Sequence, residues 1–173
     1  MGRKARHWVV TDTHFNHDAI IKACGRPTNA DELIIGAMKK WCAAQDWIIH
    51  LGDVIFYQYP KIAEILVQIP CRKILVLGNH DKKSKNWYMN NGFHFACHSF
   101  TWENVLFTHK PVVQFPDDID YNIHGHWHNN GVEENPPSFW STKTHFKLAM
   151  EDVNYQPTCL DKIKAIMDKR NGK

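Results

Sequence analysis

Apolar residues fall in short runs along this chain, separated by turn-forming and charged residues. Runs rich in Val, Ile, Leu or aromatics read as strands at His7–Thr11, Trp47–Leu51, Arg72–Leu77, His94–Thr101, Asn104–Thr108, Tyr121–His124 and Phe146–Glu151. Other stretches follow a helical period. Asp31–Ala44 places Leu33, Ile34, Ala37, Met38 and Trp41 on one face, behind a Thr28 cap with Asp31 three residues on. Pro60–Ile69 reads the same way. So does Thr158–Lys169, where Ile163, Ile166 and Met167 share a face and Thr158 is the cap. The first half therefore alternates strand and helix, and the second half is mainly strands joined by turns such as Asn129-Asn130-Gly131. The expected fold class is α/β, with two packed mixed β-sheets flanked by helices, in one domain over residues 1–173.

Composition narrows the picture. A chain of 173 residues that is 43% hydrophobic can bury a sizeable core without disulfides or a partner. The net charge of +3 tolerates anionic substrates but is no nucleic-acid footprint. The lysines between Lys162 and Lys173 read as a solvated helix face. Five scattered cysteines with no C-x-x-C pair read as reduced packing residues. No apolar run is long enough to span a membrane, and Trp8, Val9 and Val10 are too short for a signal-peptide core. Arg6 stands where a myristoylation motif needs Ser or Thr. The expected location is the cytoplasm.

Candidate chemistry sits at the ends of the strand-like runs. The clusters are Asp12-Thr13-His14, Gly52-Asp53, Gly78-Asn79-His80-Asp81, His109 and Gly125-His126-Trp127-His128. In extended backbone an i, i+2 pair such as Asp12 and His14 points to one side, half of a metal site. From these residues alone, an Asx-turn aspartate beside an unrelated surface histidine is the favoured reading. Gly-Asp by itself is a common turn. Gly78-Asn79-His80-Asp81 is more specific, since Asn79 offers a neutral carbonyl and His80 a group that titrates near neutrality. His126 and His128 are too closely spaced, and lack the cysteine pair, for a structural zinc finger. Ligands in α/β sheets collect beyond the carboxyl ends of strands, where these clusters fall.

Taken in order, Asp-x-His, Gly-Asp, Gly-Asn-His-Asp, His and Gly-His-x-His resemble the signature of the calcineurin-like metallophosphoesterases, from Asp12 to His128. The resemblance implies a four-layer sandwich and two divalent cations. One would be held by Asp12, His14, Asp53 and His128; the other by Asp53, Asn79, His109 and His126. Asp53 would bridge them, along with a water or hydroxide, across roughly 3.5–4 Å. Manganese is the foremost expectation, with Fe, Zn, Co and Ni as the others. His80 would face the substrate and protonate the departing oxygen. One departure stands out. Many family members carry Gly-Asp-x-x-Asp, whose second Asp helps orient the catalytic histidine, whereas here Phe56 occupies that place. Asp81 or a backbone carbonyl is the expected substitute.

Finer features, Asp12 through His17 with Arg26-Pro27 and the ending Val153 through Pro157, resemble the small bacterial and phage branch. His17 is a candidate for touching substrate phosphate, with an ordinary helix-start histidine as the alternative. Arg26 is a candidate bidentate phosphate clamp, with a surface ion pair as its alternative. His124 is expected to support the final pair from behind. Lys82, Lys83 and Lys85 read as a solvated turn that can also steer anions, and Tyr57 and Tyr59 as core, rim or mouth. His7, His50, His94, His98 and His145 have no partner pattern.

The expected activity is metal-dependent hydrolysis of phosphate esters, a small phosphodiester first. Rivals are a phosphomonoesterase and a nuclease acting on DNA or RNA, although the chain is expected to lack the interleaved basic and aromatic surface or added domain that would grip a backbone. A catalytically silent metal- or partner-binding module is the non-enzyme alternative. It has no use for a free histidine beside two metals. No membrane partner is expected, and nothing in the chain signals oligomeric state.

Overall fold

Runs of Val, Ile and Leu without polar alternation suit strands covered on both faces. The computed structural model describes residues 3–57, 59–129 and 136–173. Its elements are β1 (His7–Val10), α1 (Asp18–Cys24), α2 (Ala30–Trp41), β2 (Trp47–His50), α3 (Lys61–Leu66), β3 (Arg72–Val76), α4 (Lys85–Asn90) and β4 (Phe95–Cys97). They continue with β5 (Ser99–Trp102), β6 (Val105–Thr108), β7 (Tyr121–His124), β8 (His145–Lys147), β9 (Thr158–Cys159) and α5 (Leu160–Arg170).

The strands make two mixed sheets, ordered β4-β3-β2-β1-β9 and β5-β6-β7-β8. In the first, β1 to β4 run parallel and only β9 is antiparallel; in the second, β6, β7 and β8 run parallel and β5 is antiparallel. Alternate residues of the first sheet serve different cores. Val10, Ile48 and Leu75 pack with Ile34 and Met38 of α2, Ile62 and Leu66 of α3 and Tyr88 of α4. Val9, Ile49 and Val76 meet Val105, Phe107, Tyr121 and Ile123 of the second sheet, and Leu160, Ile163 and Met167 of α5 join them. Each such side chain contributes about 1.5–3 kcal/mol when fully buried. Burial on both faces is why the runs show no alternation.

The structure departs from the sequence expectation where one pattern hides two elements. His94–Thr101 splits at His98 into β4, an edge of the first sheet, and β5, an edge of the second. Both halves look like strand, so the run carries no mark of the change of sheet. Thr158 and Cys159 pair with Val9 and Trp8, and the helix starts only at Leu160. At α2 the cap position is Asn29 rather than Thr28, with no side-chain capping bond. Helices α1 and α4 are too short to show a period. After β8, Leu148, Ala149 and Met150 are buried outside any strand and deliver Glu151 to the centre described below. The expected turn Asn129-Asn130-Gly131 lies, from Asn130 on, outside the described residues. No helix among the described residues is long and apolar enough to cross a membrane.

Candidate metal centre and active site

Parallel strands end on the same side, so the loops after β1, β2 and β3 converge. Backbone bonds close them together: Asp12 N–H donates to Gly52 O at 2.9 Å, His14 N–H to Asp53 O at 3.0 Å and Phe15 N–H to Val54 O at 3.0 Å. The extended backbone expected for Asp12 and His14 is not what forms. Both are left-handed at φ +47°, as are Asp53 at +55° and His126 at +68°. Left-handed backbone costs a non-glycine residue roughly 1–2 kcal/mol, so four side chains of the centre are held in strained positions. Two glycines let the loops meet. A Cβ on Gly78 would overlap Asp53 Oδ1, and one on Gly125 would overlap Thr11 Oγ1 and Asp12 Oδ2.

Donor atoms gather in two groups, Asp12 with His14 and His128, and Asp53 with His109 and His126, each group's atoms lying within 4.8 Å of one another. In both carboxylates one oxygen is occupied and the other faces inward. Asp12 Oδ2 accepts from His126 N–H at 2.9 Å and from the Thr11 hydroxyl, while Oδ1 is buried without a hydrogen bond. Asp53 Oδ1 accepts His80 N–H at 2.7 Å, and Oδ2 lies 3.7 Å from His14 Nε2 and 3.4 Å from His109 Nε2. Both ring nitrogens of His14 are buried and unpartnered.

His109 donates from Nδ1 to Leu51 O at 2.7 Å, and in the tautomer that carries its one proton there the Nε2 lone pair points at Asn79 Oδ1, 2.9 Å away. Acceptors facing acceptors at such distances cost about 1–3 kcal/mol per buried group left unsatisfied. A cation removes that cost. Ligands about 2.1 Å from one ion sit roughly 3–3.5 Å from each other, close to the spacings here, so this donor set fits two divalent cations sharing Asp53.

Electrostatics differ between neighbouring ligands. Burial pushes the Asp12 carboxyl up, but His14, His109 and His128 outweigh it and hold Asp12 well below the usual carboxylate range. Burial, with His109 and Lys110 nearby, lowers His126 to about 4. Burial also presses His128 down, yet Glu151 and Asp12 overcome it and leave His128 raised.

Behind the donors lies a brace that the sequence showed only in part. Glu151 Oε1 accepts His128 Nδ1–H at 3.1 Å and Arg26 Nε–H at 2.7 Å. Arg26 Nη1 donates to Thr13 O at 2.9 Å and Nη2 to Asp12 O at 2.7 Å. Arg26 is therefore buried and bonded to protein. It is neither the phosphate clamp nor the surface ion pair considered from sequence. Cys24 also lies near His128 and Glu151, but burial and Glu151 push its thiol up to about 11, so it stays protonated.

Asp81 accepts from Asp53 N–H at 2.8 Å, Gly78 N–H at 2.7 Å and Val54 N–H at 3.1 Å, binding the loops that carry Asp53 and Asn79. It makes no bond to the His80 ring. His50, which had no visible partner in the sequence, accepts Gly52 N–H at 3.1 Å and meets Thr13 Oγ1 at 3.0 Å. His124 accepts Trp140 Nε1–H at 2.9 Å and donates to Gly125 O at 2.9 Å, beside His126. Glu151 could have been noticed, since it is an acid closing an apolar run as Asp12 and Asp53 do. His50 carried no such signal.

The His80 ring stands 5.6 Å from that of His14 and 5.2 Å from that of Phe56, edge to face. Among the described residues no carboxylate bonds to it. Phe56 in turn stacks on His17 at 3.8 Å. His17 is the cap residue of α1 without a side-chain capping bond, and its buried Nδ1 has no partner. Burial and the nearby His14, His80 and Arg26 lower its pKa.

The calcineurin-like phosphoesterase family model matches residues 5–156. An uncharacterized protein of Methanocaldococcus jannaschii is 31% identical over 172 residues, spanning 94% of this chain and 91% of its own length. A protein of unknown function from Aquifex aeolicus has a similar solved structure, with TM-score 0.72 and 23% identity over 94% of this chain and all of that one. The nuclease MPE of Pseudomonas putida shares the fold more distantly, with TM-score 0.50 and 18% identity over 70% of this chain and 60% of that one.

Proposed function

The chain belongs to the calcineurin-like phosphoesterase family, and on that premise we propose that it hydrolyses phosphodiesters at a pair of divalent cations, with His80 as general acid. Asp12, His14, Asp53 and His128 hold one cation, and Asp53, Asn79, His109 and His126 the other. Manganese is the first choice, and Fe, Zn, Co or Ni suit the same donors. When bound, the cations offset the phosphate's charge and activate the attacking water. Water attacks phosphorus in line, the P–O bond opposite breaks, and the departing oxygen takes its proton from His80. The products are a phosphomonoester and an alcohol.

One observation carries this reading: Asp53 Oδ1 is fixed by an amide while Oδ2 lies between imidazoles of both groups, 3.7 and 3.4 Å away. A second supports diesters over monoesters. Arg26, the candidate phosphate clamp, is bonded to Glu151 and two carbonyls, which leaves it unplaced to meet the extra charge of a monoester's terminal phosphate. The five cysteines are free thiols, which suits a reducing compartment such as the cytoplasm.

The test is calorimetric titration with Mn²⁺ and turnover of bis(p-nitrophenyl) phosphate, p-nitrophenyl phosphate and an alkyl diester. We expect two ions per chain and faster diester turnover. Asp53→Asn should lose ions and activity together. His80→Ala should keep both ions and lose 10²–10⁴-fold, on the order usual for a general acid, most of all with the alkyl leaving group. Full alkyl-diester activity in His80→Ala would remove the proton-donor role, and a chain that binds none of Mn²⁺, Fe²⁺, Zn²⁺, Co²⁺ and Ni²⁺ would remove the reading altogether.

A further inference from the structure

We propose that the surface beside His80 binds a single strand of nucleic acid, with bases on aromatic rings and phosphate on a lysine ammonium. The proposal rests on the phosphodiesterase reading above and names its substrate class. Two segments, distant in sequence, meet at this surface. The first follows β2 and carries Phe56, Tyr57 and Tyr59; the second follows β3 and carries His80, Lys83 and Trp87. The parallel pairing of β2 with β3 brings them side by side.

Phe56 lies 5.2 Å from the His80 ring, and Tyr57 stands against Phe56 at 4.4 Å, edge to face. Tyr57 is 69% exposed and left-handed at φ +54°. A tyrosine held in strained backbone and turned to solvent, one ring removed from His80, is not explained by burial. Tyr59 ties the same surface to the centre, donating from its hydroxyl to His80 O at 3.1 Å. Lys83 Nζ then lies 5.1 Å from the Tyr59 ring and 6.0 Å from the Trp87 ring, and Lys83 itself is exposed.

Beside His80 there are therefore an exposed ring, Tyr57, reached through Phe56, and an exposed ammonium, Lys83, reached through Tyr59. With the metal centre, that chemistry matches phosphate, base and next phosphate along a polynucleotide. Bases stack on such rings with little regard to identity, and lysine meets the backbone. The strand must be single, because a base lying on a protein ring has left its duplex stack. His80 is on this side, so the strip grips the departing part of the strand. The basic and aromatic surface that the sequence reading did not anticipate is supplied here by two segments brought together in space.

Fluorescence anisotropy of the Mn²⁺-loaded full chain with 5′-labelled phosphorothioate strands tests this, using (dT)8, (rU)8 and an abasic octamer of equal charge. We expect the base-bearing strands to bind at least tenfold more tightly than the abasic one. Tyr57→Ala should lose about tenfold on (dT)8 and little on the abasic strand, within the range of one stacked base. Lys83→Ala should weaken all strands and flatten their salt dependence. Equal binding of abasic and base-bearing strands, or unchanged binding by both variants, overturns the proposal; (rU)8 against (dT)8 tells only which sugar the strip takes. Turnover of bis(p-nitrophenyl) phosphate by the same preparation keeps the two readings apart. Base-dependent binding without turnover leaves the strip standing and removes the hydrolase, whereas turnover with base-independent binding does the reverse.

Discussion

The two candidate ligand groups offer the same donors, one carboxylate and two imidazoles each, yet they are supported in opposite ways. Asp12, His14 and His128 are backed by charge: the Glu151–Arg26 ion pair holds His128 on one side and the Asp12 and Thr13 carbonyls on the other. Asp53, His109 and His126 are backed by main chain. Leu51 O fixes His109, and Asp81 gathers the amides of Asp53, Val54 and Gly78. The consequence is visible on one loop, where His126 is lowered to about 4 and His128, two residues on, is raised. Identical side chains at nearly the same depth acquire different basicity because one faces a carboxylate from behind and the other does not.

The sharpest way to break this contrast is Arg26→Ala. It leaves Glu151 buried beside His128 without its cation and strips the Asp12 and Thr13 carbonyls of donors. Breaking a buried pair costs about 3–5 kcal/mol, so the melting temperature should fall on the order of 10 °C. A shift of a degree or two would mean the brace is not buried as drawn.

Next come Asp81→Asn and Glu151→Gln, compared by Mn²⁺ calorimetry. Asp81→Asn points an NH2 at amide N–H groups, costs about 1.5–3 kcal/mol, and should weaken both cation sites because Asp53 serves both. Glu151→Gln should weaken only the site of Asp12, His14 and His128, by about 10–100-fold. If Glu151→Gln weakened both sites equally, the two supports would not be separate.

The smallest effect is a slope with pH. Burial lowers His50 and His124 to about 3, from an ordinary 6.5. Between those values the unfolded chain takes up protons that the folded protein refuses. Stability is therefore whole above pH 6.5 and falls as pH drops toward 3, by up to about 1.4 kcal/mol per pH unit for each histidine. Urea midpoints of the metal-free chain from pH 7.5 to 4.5 should show this fall, and His50→Gln should flatten it. An unchanged slope in that variant would place His50 in contact with solvent.

Legibility from sequence was uneven for identifiable reasons. Tyr121–His124 and the starts of β2 and β3 were readable because strands covered on both faces are continuous apolar runs. The split between β4 and β5 was not, because a chain can change sheets without changing composition. Asp12, His14, Asp53, Asn79, His109, His126 and His128 stood out because ligand-type residues follow the ends of parallel strands. Arg26 was misread because an arginine looks the same in sequence whether it faces phosphate or a buried glutamate.

Residue type and order along the chain by themselves pointed to the α/β class and to the candidate donors, since both depend on local period and on chemistry each residue carries alone. Tertiary structure decided everything that needs a second partner: how the donors gather into two groups, which oxygen of Asp53 faces inward, and that Glu151 stands behind His128. Those properties arise from distances between segments far apart in the chain, and no local pattern encodes a distance.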